Sequence, residues 1–392
     1  MATYDRYDID AEYEARRRRA RAKRRAEIRK RKKRRFYIRV AIRLTIYIAI
    51  LAGIITLAVI GIKRLVASLK DEKAAEANTP AITEQVSSFD PVVETEIIDA
   101  ADTEVSDAGN EAKEVHVYSA EATDATVGLP EGVASQYGIL IDLESSNIIC
   151  QASPKERMFP ASMTKIMTCL VAAEHVTDLD DTFVMTPEIN YFSYKNDCSA
   201  VGFSDEEIVT VRDLFYGTIL PSGADAAVGL ATYVAGSQEA FVDMMNEKLI
   251  ELGLSETTHF TNCVGLHDEN HYSTCYDMAM ILAAAMDNDL CREVMHAHIY
   301  TTSQTVQHPD GIEISNWFLR RIEDHVEGGE VYAAKTGFVN ESGNCAASYG
   351  ISAAGHEYIC VTGDSTSSWK CIKDHVAIYD LVFDAAEDNA NP

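Results

Sequence analysis

The sequence has no Cys-x-x-Cys pair and no set of His, Cys, Asp and Glu at metal-ligand spacing, so no metal and no cofactor is expected. It has no Gly-rich phosphate loop, which argues against nucleotide chemistry, and no internal repeat. Basic residues grow scarce after residue 70. Residues 1–70 hold 21 Lys+Arg against 6 Asp+Glu, whereas the other 322 hold 14 against 55. The formal charge of -26 therefore hides two halves of opposite sign, and such halves belong in different surroundings. The nine cysteines are an odd number. Disulfides and free buried thiols both fit them, and Cys169, Cys345 and Cys360 lie in apolar runs that read as core.

The basic half takes its meaning from the segment after it. Arg16 to Arg19, Arg21 to Arg25 and Arg29 to Arg35 form a run that alone suggests nucleic acid. From Leu44 to Ile62, however, no charged residue occurs over 19 positions. A helix of this length spans a bilayer core, which needs ~20 apolar residues. Arg39, Arg43 and the basic run lie on its N-terminal side, which places the N-terminus in the cytoplasm. No small-residue cleavage site comes after it, so an uncleaved signal anchor is expected. The basic run then sets topology and meets lipid headgroups, and no nucleic-acid partner is expected. Residues 1–43 read as a cytoplasmic tail and 44–62 as a single-pass transmembrane anchor in the cell membrane. Residues 63–127 read as an acidic, disordered stalk, and 128–392 as a folded domain outside the cell.

Within that domain, Tyr137 to Leu143 and Ile148 to Gln151 read as a hairpin around Glu144-Ser145-Ser146-Asn147. Helical patterns come next, with Thr210, Ser237 and Thr274 as N-caps and Gly253 ending the second of these helices. His296-Ala297-His298 reads as a surface helix feature. Strands return at Val331 to Lys335, Cys345 to Ser352 and Glu357 to Thr362, before a helix from about Lys370 to Ala385. This order implies an α+β fold: an antiparallel five-stranded sheet flanked by helices, with a helical subdomain inserted between its halves.

Three short stretches carry chemistry. Pro160-Ala161-Ser162-Met163-Thr164-Lys165 opens an apolar helix, and Pro160 suits its first turn. Residues three apart share a helix face, so Ser162 stands beside Lys165. A serine hydroxyl needs a base, and a lysine serves once burial or a second cation lowers its pKa. Pro221-Ser222-Gly223-Ala224-Asp225 lies between two helices, and Lys335-Thr336-Gly337-Phe338 lies on a strand. Their starts are 60 and 113 residues apart.

The ordered set Ser-x-x-Lys, Ser-Gly-x, Lys-Thr-Gly resembles the signature of penicillin-binding proteins and serine β-lactamases. Three flanks are similar to the low-molecular-weight D-alanyl-D-alanine carboxypeptidases. They are Phe159 to Thr168, Gly265-Leu266-His267-Asp268 with His271-Tyr272-Ser273-Thr274, and Glu341-Ser342-Gly343 after the third motif. The resemblance covers about residues 130 to 385 and implies the β-lactamase/DD-peptidase-like fold. It implies Ser162 as nucleophile, Lys165 as base and Ser222 as a proton relay. Lys335 and Thr336 would meet the substrate carboxylate, Gly337 would leave room for the peptide, and the backbone N–H groups of Ser162 and Phe338 would form the oxyanion hole. The implied substrate is a peptidoglycan pentapeptide, with β-lactams as inhibitors.

Two departures accompany the match. The family usually has Asn where Ala224 stands, a loss expected to cost ~1–3 kcal/mol of substrate contact unless Asp225 partly substitutes. Many relatives also carry a β-rich domain and a C-terminal anchor, whereas 55 residues come after Gly337 here and residues 44–62 are expected to take the anchoring role. The alternatives are a weakly catalytic or non-catalytic penicillin- or peptidoglycan-binding module, motivated by Ala224, and a β-lactamase of the same fold.

Overall fold

Side chains alternate across a strand, so a strand apolar at every position must be covered on both faces. In β2 (Tyr137–Asp142), Ile139 and Ile141 join the larger core and Leu140 a second core on the other side, none more than 1% exposed. The sheet is thus a middle layer. Our structure, a computed structural model, describes residues 118–383. The basic tail, the 44–62 span and the stalk up to residue 117 lie outside the described residues. Among the described residues no helix is long and apolar enough to cross a membrane.

The sheet contains six strands in the order β1-β3-β2-β10-β9-β8. β3 spans Asn147–Ala152, β8 Gly329–Val339, β9 Gly343–Ser352 and β10 Glu357–Ser365. These four and β2 pair antiparallel and are the five expected strands. The sixth, β1 (Glu121–Gly128), corrects that expectation and the stalk boundary together. It pairs parallel with β3, Glu121 beside Asn147 and Gly128 beside Gln151. Its sequence, EATDATVG, is polar and exposed at seven of eight positions. An edge strand held by backbone pairing leaves no hydrophobic pattern in the sequence.

Between β3 and β8 lies the helical block. A 3₁₀ turn (Ala161–Thr164) leads into α1 (Lys165–His175). Next come strand β4 (Thr182–Val184), helix α2 (Pro187–Lys195) and strand β5 (Ile208–Thr210). Helices α3 (Val211–Ile219), α4 (Ala224–Ala235), α5 (Gln238–Glu251) and α6 (Cys275–Asp287) succeed them. The three expected N-caps are present: Thr210, Ser237 and Thr274 accept from the N–H groups of Asp213, Ala240 and Asp277 at 3.1, 3.1 and 2.9 Å. Gly253, in the left-handed region, comes just after α5 as expected.

Helix α7 (Asp289–His296) ends at the first histidine of His296-Ala297-His298. His296 stacks on Tyr332 with ring centroids 3.9 Å apart, and His298 lies 3.0 Å from Glu323. The motif is therefore a helix exit packed against β8, not a surface helix feature. A ribbon of β6 (Ile299–Thr301) and β7 (Glu313–Ser315) and the short α8 (Leu319–Ile322) complete the block. The last helix, α9 (Ser368–Phe383), covers the outer face of the sheet, where Tyr379 and Phe383 stack at 4.8 Å. All nine cysteines are free thiols, eight of them buried and Cys198 partly exposed.

Candidate active site

The expected helix around Ser162 is not a single α-helix. Lys165 opens α1, and Ser162 sits on the preceding 3₁₀ turn. Residues three apart eclipse one another on a 3₁₀ turn, so the hydroxyl still stands over the amine. Lys165 Nζ lies 3.1 Å from Ser162 Oγ and donates to the Val264 carbonyl at 2.7 Å. The turn begins with strain: Ala161 has φ 46°, a left-handed conformation that costs a non-glycine residue ~1–2 kcal/mol. Such strain persists only where the surroundings hold it, and it gathers at functional sites.

The second motif forms a matching couple with the third. Lys335 Nζ donates to Ser222 Oγ at 2.9 Å and to the Thr336 carbonyl at 2.7 Å. Ser222 also has positive φ, 58°. Lys335 is buried behind Ser222, whereas Ser162, Lys165, Ser222, Thr336, Gly337 and Phe338 all line one cavity of about 400 Å³. Its amine therefore meets the cavity only through Ser222. Gly337 lines the cavity and also packs against the Ser162 turn. A Cβ there would come within 2.7 Å of Cys345 Sγ and 2.8 Å of the Pro160 carbonyl oxygen. Its bareness lets β8 close on the Ser162 turn.

Ala224 is buried, and its N–H donates to the Ser199 carbonyl at 2.8 Å. Asp225 does not take the place of the absent amide. Its carboxylate accepts from the N–H groups of Val201 and Gly202, both at 2.9 Å, and so ties the 196–202 segment to α4. That segment supplies Asn196, Asp197, Cys198 and Ser199 to the cavity wall, none of which stood out in the sequence. Two further contributors carry no sequence signal either. The Val264 carbonyl that holds Lys165 is backbone, which has no signature. It is set by Asn262, whose Oδ1 accepts from the N–H groups of Val264, Gly265 and Leu266 at 3.2, 2.7 and 2.9 Å.

Electrostatics prepares the first couple for proton transfer. Burial lowers Lys165 to about 8, against weaker opposing pulls from Cys198, Cys263 and Asp225. Lys335 is pushed well below its ordinary value by burial first and the Lys165 charge second. Burial, rather than a neighbouring cation, thus prepares Lys165. A neutral Lys165 can accept the Ser162 proton while still donating to Val264, so the reactive form is the deprotonated one. Acylation of Ser162 by a penicillin should therefore rise about tenfold per pH unit below the Lys165 pKa and level off above about 8. Stopped-flow acylation rates from pH 6 to 10 measure this; a rate that falls across the range contradicts a lysine base.

Ser162 and Lys165 thus face one cavity beside a sheet edge, and Lys335 meets the same cavity through Ser222. The chain matches the sequence model of the Peptidase S11 D-alanyl-D-alanine carboxypeptidases over residues 123–362, and it belongs to that family. It is 36% identical over 145 residues to the D-alanyl-D-alanine carboxypeptidase DacF of Bacillus subtilis, covering 36% of each chain. To DacC of Escherichia coli it is 33% identical over 199 residues, 49% of each. The chain thus spans between a third and a half of the length of these curated relatives. The crystal structure of the Streptomyces K15 DD-transpeptidase superposes with a TM-score of 0.58 at 27% identity, covering 64% of this chain and 97% of that one. Penicillin-binding protein 5 of Haemophilus influenzae gives 0.58 at 25%, covering 65% and 72%.

Proposed function

We propose that this chain is a membrane-anchored serine D-alanyl-D-alanine carboxypeptidase that trims peptidoglycan stem peptides. The observation that carries this reading is the Lys165 amine, 3.1 Å from Ser162 Oγ and lowered to about 8 by burial. Ser162 attacks the carbonyl of the penultimate D-Ala, and Lys165 takes its proton. The carbonyl oxygen becomes an oxyanion facing the backbone N–H groups of Ser162 and Phe338. Ser222, held by Lys335, relays that proton from Lys165 to the departing D-Ala amine, which leaves Lys165 neutral again. Thr336 draws the free carboxylate of that D-Ala to the β8 edge, with Lys335 supporting it from behind through Ser222. Water then attacks the acyl-enzyme and releases the shortened peptide. A β-lactam acylates Ser162 by the same path and leaves slowly. The 44–62 span holds the domain outside the cytoplasmic membrane, with the basic tail inside.

A second reading rests on Asp197, the one carboxylate among the described residues lining the cavity. A carboxylate able to activate water would favour β-lactam turnover. The test is a labelled penicillin and a D-Ala-D-Ala pentapeptide given to wild type and Ser162→Ala. Labelling at Ser162 with D-Ala release supports the carboxypeptidase. Rapid penicillin hydrolysis would instead make the chain a β-lactamase. Labelling without either product would make it a binding module.

A further inference from the structure

We infer that His271 is a positioning residue that, through Thr164, fixes the Ala161–Ser162 peptide carrying the nucleophile. The inference rests on the Ser162 chemistry proposed above. His271 is 1% exposed and touches none of the cavity. Its Nδ1 faces the Thr261 N–H at 3.1 Å. An amide N–H only donates, so Nδ1 must be the acceptor and the proton must sit on Nε2. Nε2 lies 2.8 Å from Thr164 Oγ1, which therefore accepts that N–H. The Thr164 hydroxyl has one proton left to give, and it lies 2.8 Å from the Ala161 carbonyl oxygen. Donors and acceptors thus run one way: Thr261 N–H to His271, His271 N–H to Thr164, Thr164 O–H to Ala161.

The receiving carbonyl belongs to the strained residue, Ala161 at φ 46°. The same peptide plane carries the Ser162 N–H assigned to the oxyanion hole. If that plane rotates, the hydroxyl and the oxyanion donor both lose their aim. A hydrogen bond from a fully paired hydroxyl is directional enough to resist this, and burial keeps water from competing for the carbonyl. Burial also lowers His271 to about 3, so the imidazole stays neutral and the direction of the relay does not change across the working pH range.

Thr164→Val keeps the shape and removes the hydroxyl; Thr164→Ser keeps the hydroxyl. Penicillin acylation is resolved into the binding constant before bond formation and the first-order acylation step. The relay requires that Thr164→Val slow the acylation step by up to about a hundredfold, because small misplacements of reacting groups cost this much. Binding and the midpoint of the pH profile should stay fixed, and Thr164→Ser should restore the rate. His271→Gln, which keeps a donor toward Thr164, should lose less than His271→Phe. An unchanged acylation step in a folded Thr164→Val protein overturns the relay, as does a loss confined to binding. Nitrogen-15 NMR of the imidazole gives a readout free of activity: protonated Nε2 and bare Nδ1 at neutral pH support it, and the other tautomer refutes it. Failure of wild type itself to acylate would count against the function proposed above, while the NMR result would still decide the relay.

Discussion

Lys165→Met is expected to lower acylation of Ser162 about a thousandfold, within the range that a positioned general base contributes, and to leave the protein folded. Methionine fills the space of the lysine stem and removes the amine that faces Ser162 Oγ at 3.1 Å. The variant should also be more stable, because an ammonium buried at this position is held at a cost. With its ordinary value of 10.5 lowered to about 8, that cost is roughly 3 kcal/mol when the group is charged in both folded and unfolded chains, that is, below pH 8. Between pH 8 and 10.5 the unfolded chain keeps a proton that the folded chain has shed, so wild-type stability rises with pH there. The advantage of the Met variant should shrink across the same window. Lys335 works in the same direction in both proteins, although it holds its proton more readily once the Lys165 charge is gone. The lost hydrogen bond to Val264 offsets ~1 kcal/mol. Paired thermal melts from pH 6 to 10.5, with penicillin labelling of each protein, check both parts. A Met variant that labels at the wild-type rate removes Lys165 from the mechanism. One that is less stable at every pH means that burying the amine carries no such cost.

The side chains that the structure brings together at the cavity were legible in the sequence, and the groups that position them mostly were not. Ser162, Lys165, Ser222 and Lys335 are side chains whose chemistry is their identity, and their spacing recurs as a pattern. The caps at Thr210, Ser237 and Thr274 were legible for the same reason, since a short polar side chain before an apolar helix has one common use. The Val264 carbonyl has no such mark, because every residue carries a carbonyl and only the fold selects one. Asn262, which sets that loop, is one asparagine among many until its Oδ1 is seen taking three N–H groups. Asp225 shows the opposite error. Its place beside Ala224 suggested a substrate contact, whereas its carboxylate is occupied by Val201 and Gly202, 24 and 23 residues upstream. Strand β1 is silent in the sequence because edge pairing uses backbone alone. The turn at Ala161 is silent because alanine predicts helix, and only tertiary contacts hold it left-handed.

Those contacts set the second large effect. Gly265→Ala should reduce acylation at least a hundredfold and destabilise the domain by about 2–4 kcal/mol, combining overpacking with a left-handed alanine. Gly265 has φ +82°, and a Cβ built on it falls 1.8 Å from the Ala161 carbonyl oxygen and 2.8 Å from the Ser162 nitrogen. Both are backbone atoms, so no flexible side chain can swing aside. Relief must come from moving the Ala161–Ser162 peptide, whose carbonyl Thr164 also holds at 2.8 Å, or from moving the loop that presents Val264 to Lys165. Either motion separates the Ser162 hydroxyl, the Lys165 amine and the Ser162 N–H, the groups to which the proposed function assigns the chemistry. Gly236→Ala separates clash from backbone strain, because Gly236 has φ +79° after α4 and nothing within 4 Å of a Cβ. That variant should lose about 1 kcal/mol of stability and acylate normally. Urea denaturation and penicillin labelling of both proteins measure the difference. Equal losses in the two variants would mean that the approach of Gly265 to the Ser162 turn is incidental. A loss of acylation confined to Gly265→Ala would show that the Ser162 turn is held in place by its approach to a residue with no side chain.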